Sequence, residues 1–127
     1  IGCGSVHLVG RLERQDLAAL MSQADAMALP SRSEGFATTL LEAAACATPA
    51  IVTPVGGTDE LVSDERFGTI IPDAQTETVE TALREAARNP QILAEQGENV
   101  ARRVRAEYSW RRTAERALAA CRKANEK

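Results

Sequence analysis

Short apolar runs alternate with amphipathic stretches along most of this chain. Runs short enough for single buried strands occur at residues 6–9, 26–29, 49–53 and 68–72. Apolar residues recur at helical spacing over residues 15–24, 39–47, 76–88 and 91–108, with a last helix predicted over 110–125. Strands that alternate with helices, without a repeat or a low-complexity linker, predict an α/β fold: a parallel doubly wound sheet, flanking helices and a helical C-terminal tail.

The polar segment from Pro30 to Ala43 is the strongest candidate for a binding site. It follows the apolar run at residues 26–29 and leads into a helix that Thr38 or Thr39 can cap. Free backbone N–H groups and the positive end of a helix dipole favour a phosphate or pyrophosphate at such a place. Gly35 lets the backbone approach a ligand closely.

Two carboxylates, Glu34 and Glu42, lie eight residues apart in this segment. Carboxylates are poor partners for phosphate, but they accept hydrogen bonds from sugar hydroxyls. A ligand with hydroxyls at both ends and an anionic middle fits this arrangement, and a nucleotide-sugar is such a ligand. An ordinary loop and helix, with Glu42 solvated, is equally compatible with the spacing.

A second glycine loop follows the next predicted strand. The segment from Pro54 to Val62 contains Gly56 and Gly57 and leads into a short helix that Thr58 or Asp59 can cap. Loops that follow parallel strands lie at the carboxyl edge of the sheet, where open α/β sheets bind ligands. A tight turn that needs positive φ explains both glycines equally well.

Length and charge limit the possible classes of protein. A chain of 127 residues is long enough for one domain, which we place at residues 1–127. Residues 1–100 carry 6 Lys and Arg against 15 Asp and Glu, whereas residues 101–127 carry 9 against 3. The acidic body argues against a nucleic-acid partner. The basic tail is expected to be a solvated face paired with Glu107 and Glu115, or a membrane-surface contact in a full-length protein.

Cysteine and histidine content argues against a disulfide framework and against zinc. Cys3, Cys46 and Cys121 are far apart and odd in number, which is typical of reduced cytoplasmic thiols. The one histidine is His7, so no protein-held metal site is expected. No run of about 18 apolar residues and no signal peptide is visible, which favours a soluble, cytoplasmic protein. Because the chain begins at Ile1 without Met, we expect it to be part of a longer protein.

The residues PSRSEGFATTLLEAAACATPAIVT, from Pro30 to Thr53, closely resemble the E-x7-E signature of retaining nucleotide-sugar glycosyltransferases of the glycosyltransferase group 1 (family 4) kind, which have the GT-B fold. The blocks VHLVG, ALMSQADAMALPS, TPVGGTDELV, GTIIP and YSW follow the order seen in that family. The resemblance covers the chain from about Val6 to Ala119. It implies part of a Rossmann-like C-terminal domain, the domain that binds the sugar donor.

The resemblance also implies roles for individual residues. Glu34 would contact the donor sugar near the transferred carbon and count as the catalytic residue, and Glu42 would hold the ribose hydroxyls. The remaining donor contacts would come from Gly35, Phe36, Thr38, Thr39 and Leu40, with Gly56 and Gly57 as weaker candidates. The resemblance implies no cofactor, because the nucleotide-diphosphate sugar is the substrate, and no metal, because this fold class usually stabilises the diphosphate without a bound ion.

Two departures from the family pattern stand out. Many relatives have Gly-Leu-Pro or similar where this chain has Ala37, Thr38 and Thr39. The Arg and Lys that grip the pyrophosphate in relatives belong to strand–helix units that this sequence does not contain, and neither Arg11 nor Arg32 matches them. A fragment without that pair and without the N-terminal acceptor domain is expected to be inactive alone.

The family's strand order, 3-2-1-4-5-6, creates a pairing problem for residues 6–9. This run would be the third strand, separated from residues 26–29 by two strands that the sequence lacks. Because unpaired strand edges invite association, we expect either a rearranged four-stranded sheet or a homodimer. The main interpretation is the donor-binding part of a retaining glycosyltransferase. The alternatives are a non-catalytic nucleotide-binding or protein-interaction domain and, disfavoured by the absent G-x-G-x-x-G, a dehydrogenase domain.

Overall fold

The computed structural model describes residues 6–125, which form helices on both sides of a small sheet. The helices are α1 (Arg14–Gln23), α2 (Thr38–Ala45), α3 (Thr58–Leu61), α4 (Thr76–Arg88), α5 (Pro90–Glu107) and α6 (Trp110–Asn125). The strands are β1 (Met27–Leu29), β2 (Ala50–Val52) and β3 (Gly68–Ile70). This order matches the alternation expected from the apolar pattern, although each strand is shorter than the run that predicted it.

The sheet is parallel, with the strand order β1-β2-β3. Its register places Leu29 beside Val52 and Val52 beside Ile70. The three carboxyl ends therefore meet at one edge, and the loops that follow them share that edge. The predicted α/β class with a Rossmann-like parallel sheet and flanking helices is confirmed.

The core lies on both faces of β2, which is buried along its whole length. Ala50 and Val52 pack on one face with residues of α2 and α5, among them Leu40 and Val100. Ile51 points to the other face because side chains alternate along a strand, and there it packs with Ile71 and with α4. The result is three layers, with α2 and α5 on one side and α4 on the other.

The strand predicted at residues 6–9 is absent. The structure has no regular secondary structure from Val6 to Val9, and 82% of Val6 and 98% of Leu8 are exposed. An apolar run becomes a strand only where a neighbour satisfies its backbone, and in the described part of the chain no strand lies beside it. The expected four-stranded rearrangement is therefore wrong, whereas pairing with a second chain stays a prediction.

Two predicted helix caps are also wrong. Ala37 precedes α2 without a side-chain cap, and Thr38 is the first helical residue. Gly57, in the left-handed conformation, precedes α3. Thr58 cannot cap because its hydroxyl is used inside the loop, as described below. Ser109 caps α6, since its Oγ accepts a hydrogen bond from the backbone N–H of Arg112 at 3.2 Å.

The C-terminal helix α6 stands away from the body. Its residues 110–124 are all exposed, and Trp110 is 91% exposed. Arg111 and Arg112 pair with Glu115, and Arg103 of α5 pairs with Glu107. The solvated, ion-paired face expected for the basic tail is present. Across residues 6–125, none of the helices is long and apolar enough to cross a membrane.

Candidate functional site

The candidate site is built from the loops that leave the carboxyl ends of β1 and β2. Residues 30–37 connect β1 to α2, and residues 53–57 connect β2 to α3. Because β1 and β2 are neighbours in register, the two loops leave the sheet side by side. The glycine loop predicted to share an edge with Glu34 does so.

Hydroxyl groups join these two loops and hold the Glu34 carboxylate. The buried Thr53 Oγ1 donates a hydrogen bond to the Ser31 carbonyl at 2.5 Å. Ser31 Oγ in turn donates to Glu34 Oε1 at 2.6 Å. Glu34 is half-buried, so its carboxylate is fixed on one side by protein and reachable from the other.

Gly56 allows the two loops to touch. A Cβ atom at this position would lie 2.2 Å from the Glu34 carbonyl oxygen and 2.6 Å from Glu34 Cβ. Gly56 also has φ +57°, a conformation that L side chains rarely adopt. The tight-turn explanation for this glycine therefore holds, and in addition the backbone of Glu34 lies directly against it.

Gly57 and Thr58 complete the second loop. Gly57 has φ +79°, and the ring of Phe36 lies 3.6 Å from where its Cβ would be. Thr58 is buried, and its Oγ1 donates to the Thr53 carbonyl at 2.6 Å while accepting from the Val55 N–H at 3.0 Å. Thr58 thus fixes the conformation of the turn and does not reach toward a ligand.

The start of α2 differs from the open cradle that the sequence suggested. Thr38 and Thr39 are exposed, whereas the Leu40 side chain is buried in the core. The Thr38 N–H donates to the Phe36 carbonyl at 2.9 Å, and the Leu40 N–H donates to the Ala37 carbonyl at 3.0 Å. A ligand at this helix start would therefore compete with local bonds for two of the backbone donors.

Gly35 and Phe36 form the outer surface of the first loop. A Cβ at Gly35 would have no atom within 4 Å, so the space above its backbone is open. Phe36 is 47% exposed, which is unusual for an aromatic ring. An exposed ring beside open backbone is compatible with a ligand that covers both.

The second carboxylate lies on a different side of α2. Glu42 is exposed, and together with Arg14, Leu17 and Met21 of α1 it lines a small cavity of about 180 Å³. Glu34 instead faces the Gly56 loop on the β2 side. The two carboxylates therefore have different neighbours: Glu34 lies against the second loop, and Glu42 lies beside α1.

Groups with shifted pKa values, among them Asp64 and Tyr108, lie outside these two loops. The guanidinium of Arg66 holds the pKa of Asp64 well below its usual range, with hydrogen bonds of 2.8 and 2.9 Å. Burial raises the pKa of Tyr108. Within residues 6–125 no group of three or more His, Cys, Asp and Glu side chains could hold a metal ion. A groove of about 560 Å³ beside α4 and α5 also lies elsewhere.

Sequence reasoning found the carboxylates and glycines but missed the hydroxyls of Ser31, Thr53 and Thr58. Thr53 directly follows β2, Ser31 lies two residues after β1, and Thr58 begins α3. The pairs Pro30-Ser31 and Thr53-Pro54 mark two of these positions in the sequence. The bond from Thr53 to Ser31 joins residues 22 apart in the sequence, which spacing along the chain could not reveal, whereas the partners of Ser31 Oγ and Thr58 Oγ1 lie only three and five residues away.

Known proteins were compared with both the sequence and the fold. The family model described as glycosyl transferases group 1 matches residues 4–103. A D-inositol 3-phosphate glycosyltransferase of Saccharomonospora viridis is 38% identical over 82% of this chain and 24% of its own length. A glycogen synthase of Mycobacterium tuberculosis is 30% identical over 87% of this chain and 27% of its own length. The chain thus spans about a quarter of these relatives.

Among solved structures, sucrose-phosphate synthase of Thermosynechococcus elongatus superposes with a TM-score of 0.82 and 29% identity. The superposition covers 93% of this chain and 30% of that protein. The family match spans most of the sequence, and the parallel sheet agrees with the fold of a GT-B glycosyltransferase. The chain therefore belongs to the glycosyl transferases group 1 family.

Proposed function

We propose that this chain is the donor-binding part of a retaining glycosyltransferase that transfers a sugar from a nucleotide-diphosphate sugar to an acceptor. The single observation that carries the proposal is the joined pair of loops at the carboxyl edge, in which the Glu34 carboxylate is held by Ser31. Open parallel sheets bind ligands at this edge. A fixed carboxylate there suits a hydroxyl-rich ligand.

In this proposal Glu34 is the catalytic residue and accepts hydrogen bonds from donor sugar hydroxyls near the transferred carbon. Glu42, on the α1 side of α2, accepts from the ribose hydroxyls. The diphosphate lies between them, over Gly35 and the start of α2. The other proposed donor contacts come from Phe36, Thr38, Thr39 and the Leu40 backbone, with Gly56 and Gly57 shaping the neighbouring wall.

The anomeric configuration of the sugar can be retained without a protein nucleophile if the acceptor attacks the same face of the sugar from which the leaving group departs. The protein then positions the reactants and stabilises the charge of the leaving diphosphate. In the described part of the chain, Arg32 is the cation of the first loop, and it is exposed. We propose that the Arg and Lys that bind the diphosphate, and the acceptor-binding domain, belong to a longer protein, of which residues 1–127 are part of one domain, and we expect this chain to be inactive alone.

The proposal also covers cofactors, the cellular compartment and binding partners. We propose no cofactor, because the donor carries its own activated bond, and no metal, because enzymes of the resembled fold class usually stabilise the diphosphate without a bound ion. Cys46 and Cys121 are free thiols, which fits a reducing, cytoplasmic compartment. A homodimer through an open strand edge and contact of the full-length protein with a membrane surface stay predictions.

Calorimetric titration of the full-length protein with UDP, GDP and ADP, and with UDP-glucose, GDP-mannose and ADP-glucose, tests the donor site. We expect one base to be preferred, and Glu42→Gln to weaken binding of that diphosphate about tenfold through the lost ribose contact. The exposed Glu77→Gln on α4 is the matched control. Failure of all six compounds to bind would refute the donor site. Binding without any transfer or donor hydrolysis would favour the non-catalytic nucleotide-binding alternative.

A further inference from the structure

The Glu34 carboxylate belongs to a continuous set of hydrogen bonds that reaches across both loops. Thr58 Oγ1 donates to the Thr53 carbonyl at 2.6 Å, and Thr53 Oγ1 donates to the Ser31 carbonyl at 2.5 Å. Ser31 Oγ then donates to Glu34 Oε1 at 2.6 Å. The set begins at the buried start of α3 and ends at a half-buried carboxylate.

Each of these hydrogen bonds restricts the conformation of one group in the loops. Thr53 directly follows β2 and is only 3% exposed, so the core fixes its position. Its bond to the Ser31 carbonyl fixes the backbone of the first loop relative to the sheet. The Ser31 hydroxyl then selects one orientation of the Glu34 carboxylate, which would otherwise rotate about three side-chain torsions.

The backbone of Glu34 is fixed from the other side by Gly56. With no Cβ, Gly56 lies directly against the Glu34 carbonyl and Cβ. The residue is therefore held at its main chain by the second loop and at its carboxylate by Ser31. Among residues 6–125, no hydrogen bond to the second carboxylate oxygen, Oε2, is found, which leaves that oxygen available to a ligand.

We infer that Ser31 and Thr53 are positioning residues that fix the Glu34 carboxylate so that Oε2 accepts a hydroxyl of the donor sugar. The inference rests on the proposed function and adds two residues to it. Neither touches the substrate. Ser31 acts through the carboxylate that it bonds, and Thr53 acts through the carbonyl of Ser31.

If Ser31 had only a structural role, its loss would weaken binding of the nucleoside diphosphate and of the sugar nucleotide equally. If Ser31 positions Glu34, its loss would weaken mainly the binding of the sugar nucleotide. Loss of the Ser31 hydroxyl frees the carboxylate but leaves α2, Gly35 and Glu42 in place. We therefore expect Ser31→Ala to weaken binding of the preferred sugar nucleotide about five- to tenfold, the size of one net hydrogen bond. Binding of the corresponding nucleoside diphosphate should change less than about twofold, because it lacks the sugar.

Conservative variants separate the hydroxyl from the shape of the side chain. Ser31→Thr and Thr53→Ser keep the hydroxyl and should retain affinity for the sugar nucleotide within about threefold, whereas Thr53→Val should resemble Ser31→Ala. Ser22→Ala and Thr81→Val remove hydroxyls that bond only within their own helices. These two variants are the matched controls and should bind like the unaltered protein.

A double-mutant cycle gives the decisive readout. If Ser31 acts through Glu34, the variant Ser31→Ala combined with Glu34→Gln should bind the sugar nucleotide no more weakly than Glu34→Gln alone. The measurement is calorimetry on the full-length protein, with UDP-glucose, GDP-mannose and ADP-glucose and their diphosphates as probes. Circular dichroism confirms that each variant is folded.

The possible results separate this inference from the proposed function. Selective weakening with non-additive effects supports positioning. Equal weakening of sugar nucleotide and diphosphate, or additive effects of Ser31→Ala and Glu34→Gln, overturns positioning and leaves the donor site standing. Failure of the unaltered protein to bind any of the probes overturns both.

Discussion

At the scale of single residues, the site depends on what small side chains permit. Gly56 admits the backbone of Glu34, the Thr53 hydroxyl bonds the second loop to the first, and the Ser31 hydroxyl bonds the Glu34 carboxylate within the first loop. The glycine and the acid were visible in the sequence as separate candidates. Their contact was not, because it joins residues of two loops that lie side by side only once β1 and β2 pair.

Replacement of Gly56 by Ala should destabilise the fold by about 2 kcal/mol or more, because the new Cβ meets the Glu34 carbonyl and the backbone is left-handed. Gly35→Ala is the control, since its Cβ would meet no atom within 4 Å and its φ is not left-handed. Its unfolding free energy should change by less than about 1 kcal/mol. Urea denaturation measures both, and equal effects would contradict the close contact.

Asp64 provides a pH-dependent contribution to stability. Hydrogen bonds from Arg66 lower its pKa in the folded chain. A lowered pKa stabilises the fold above the unfolded value of about 4, and that stabilisation is lost as the pH falls through the folded pKa. Asp64→Asn should therefore lower the urea midpoint at pH 7, and the difference from the unaltered chain should shrink at pH 3. A difference that is independent of pH would contradict the pairing.

At the scale of elements, close packing of helices on the sheet decides the architecture. Gly97, in the middle of α5, faces the C-terminal end of α2, and a Cβ there would lie 2.1 Å from the Ala47 carbonyl oxygen. The sequence predicted α5 from its apolar spacing, but a glycine in mid-helix gave no sign of which helix it contacts. Only the packing of α5 against α2 explains it.

Gly97→Ala should lower the free energy of unfolding, although a change from Gly to Ala inside a helix usually raises it. In an exposed helix interior, Ala is more favourable than Gly by about 1 kcal/mol. At this position the added methyl group should instead cost about 2 kcal/mol or more, since α5 must move away from α2. Ala94→Gly, at an exposed position of the same helix, should cost about 1 kcal/mol. Thermal and urea unfolding check the sign, and stabilisation by Gly97→Ala would refute the contact.

At the scale of the whole molecule, the sheet and the helices α1–α5 pack together, whereas α6 does not pack against them. The body has its core on both faces of β2, whereas residues 110–124 of α6 are all exposed. Helices gain most of their stability from packing, so α6 contributes little to the body. The apolar pattern predicted this helix correctly, yet it gave no indication that the helix would stand apart.

Removal of residues 110–127 should leave the unfolding free energy of the body within about 0.5 kcal/mol, as expected for surface changes. Circular dichroism with urea measures the change in this chain, and the far-ultraviolet helical signal should fall in proportion to the residues removed. Removal of residues 90–127 is the contrasting control, because α5 carries Val100 and Val104 of the core, and that variant should not fold. A marked loss of stability on removal of α6 alone would show that it packs on the body.

The sequence by itself determined the order of the elements from α1 onward, the parallel α/β class and the family, because apolar periodicity and motif spacing are local properties of the chain. It also identified Glu34, Glu42 and the glycines as candidate residues of the binding site. The tertiary structure decided that residues 6–9 form no strand, that Ala37 and Gly57 precede the helices expected to be capped by threonine, and that Leu40 is buried. Each of these outcomes depends on which distant backbone or side chain lies alongside. For the same reason, only the fold could show that Gly56 of the second loop lies against the backbone of Glu34.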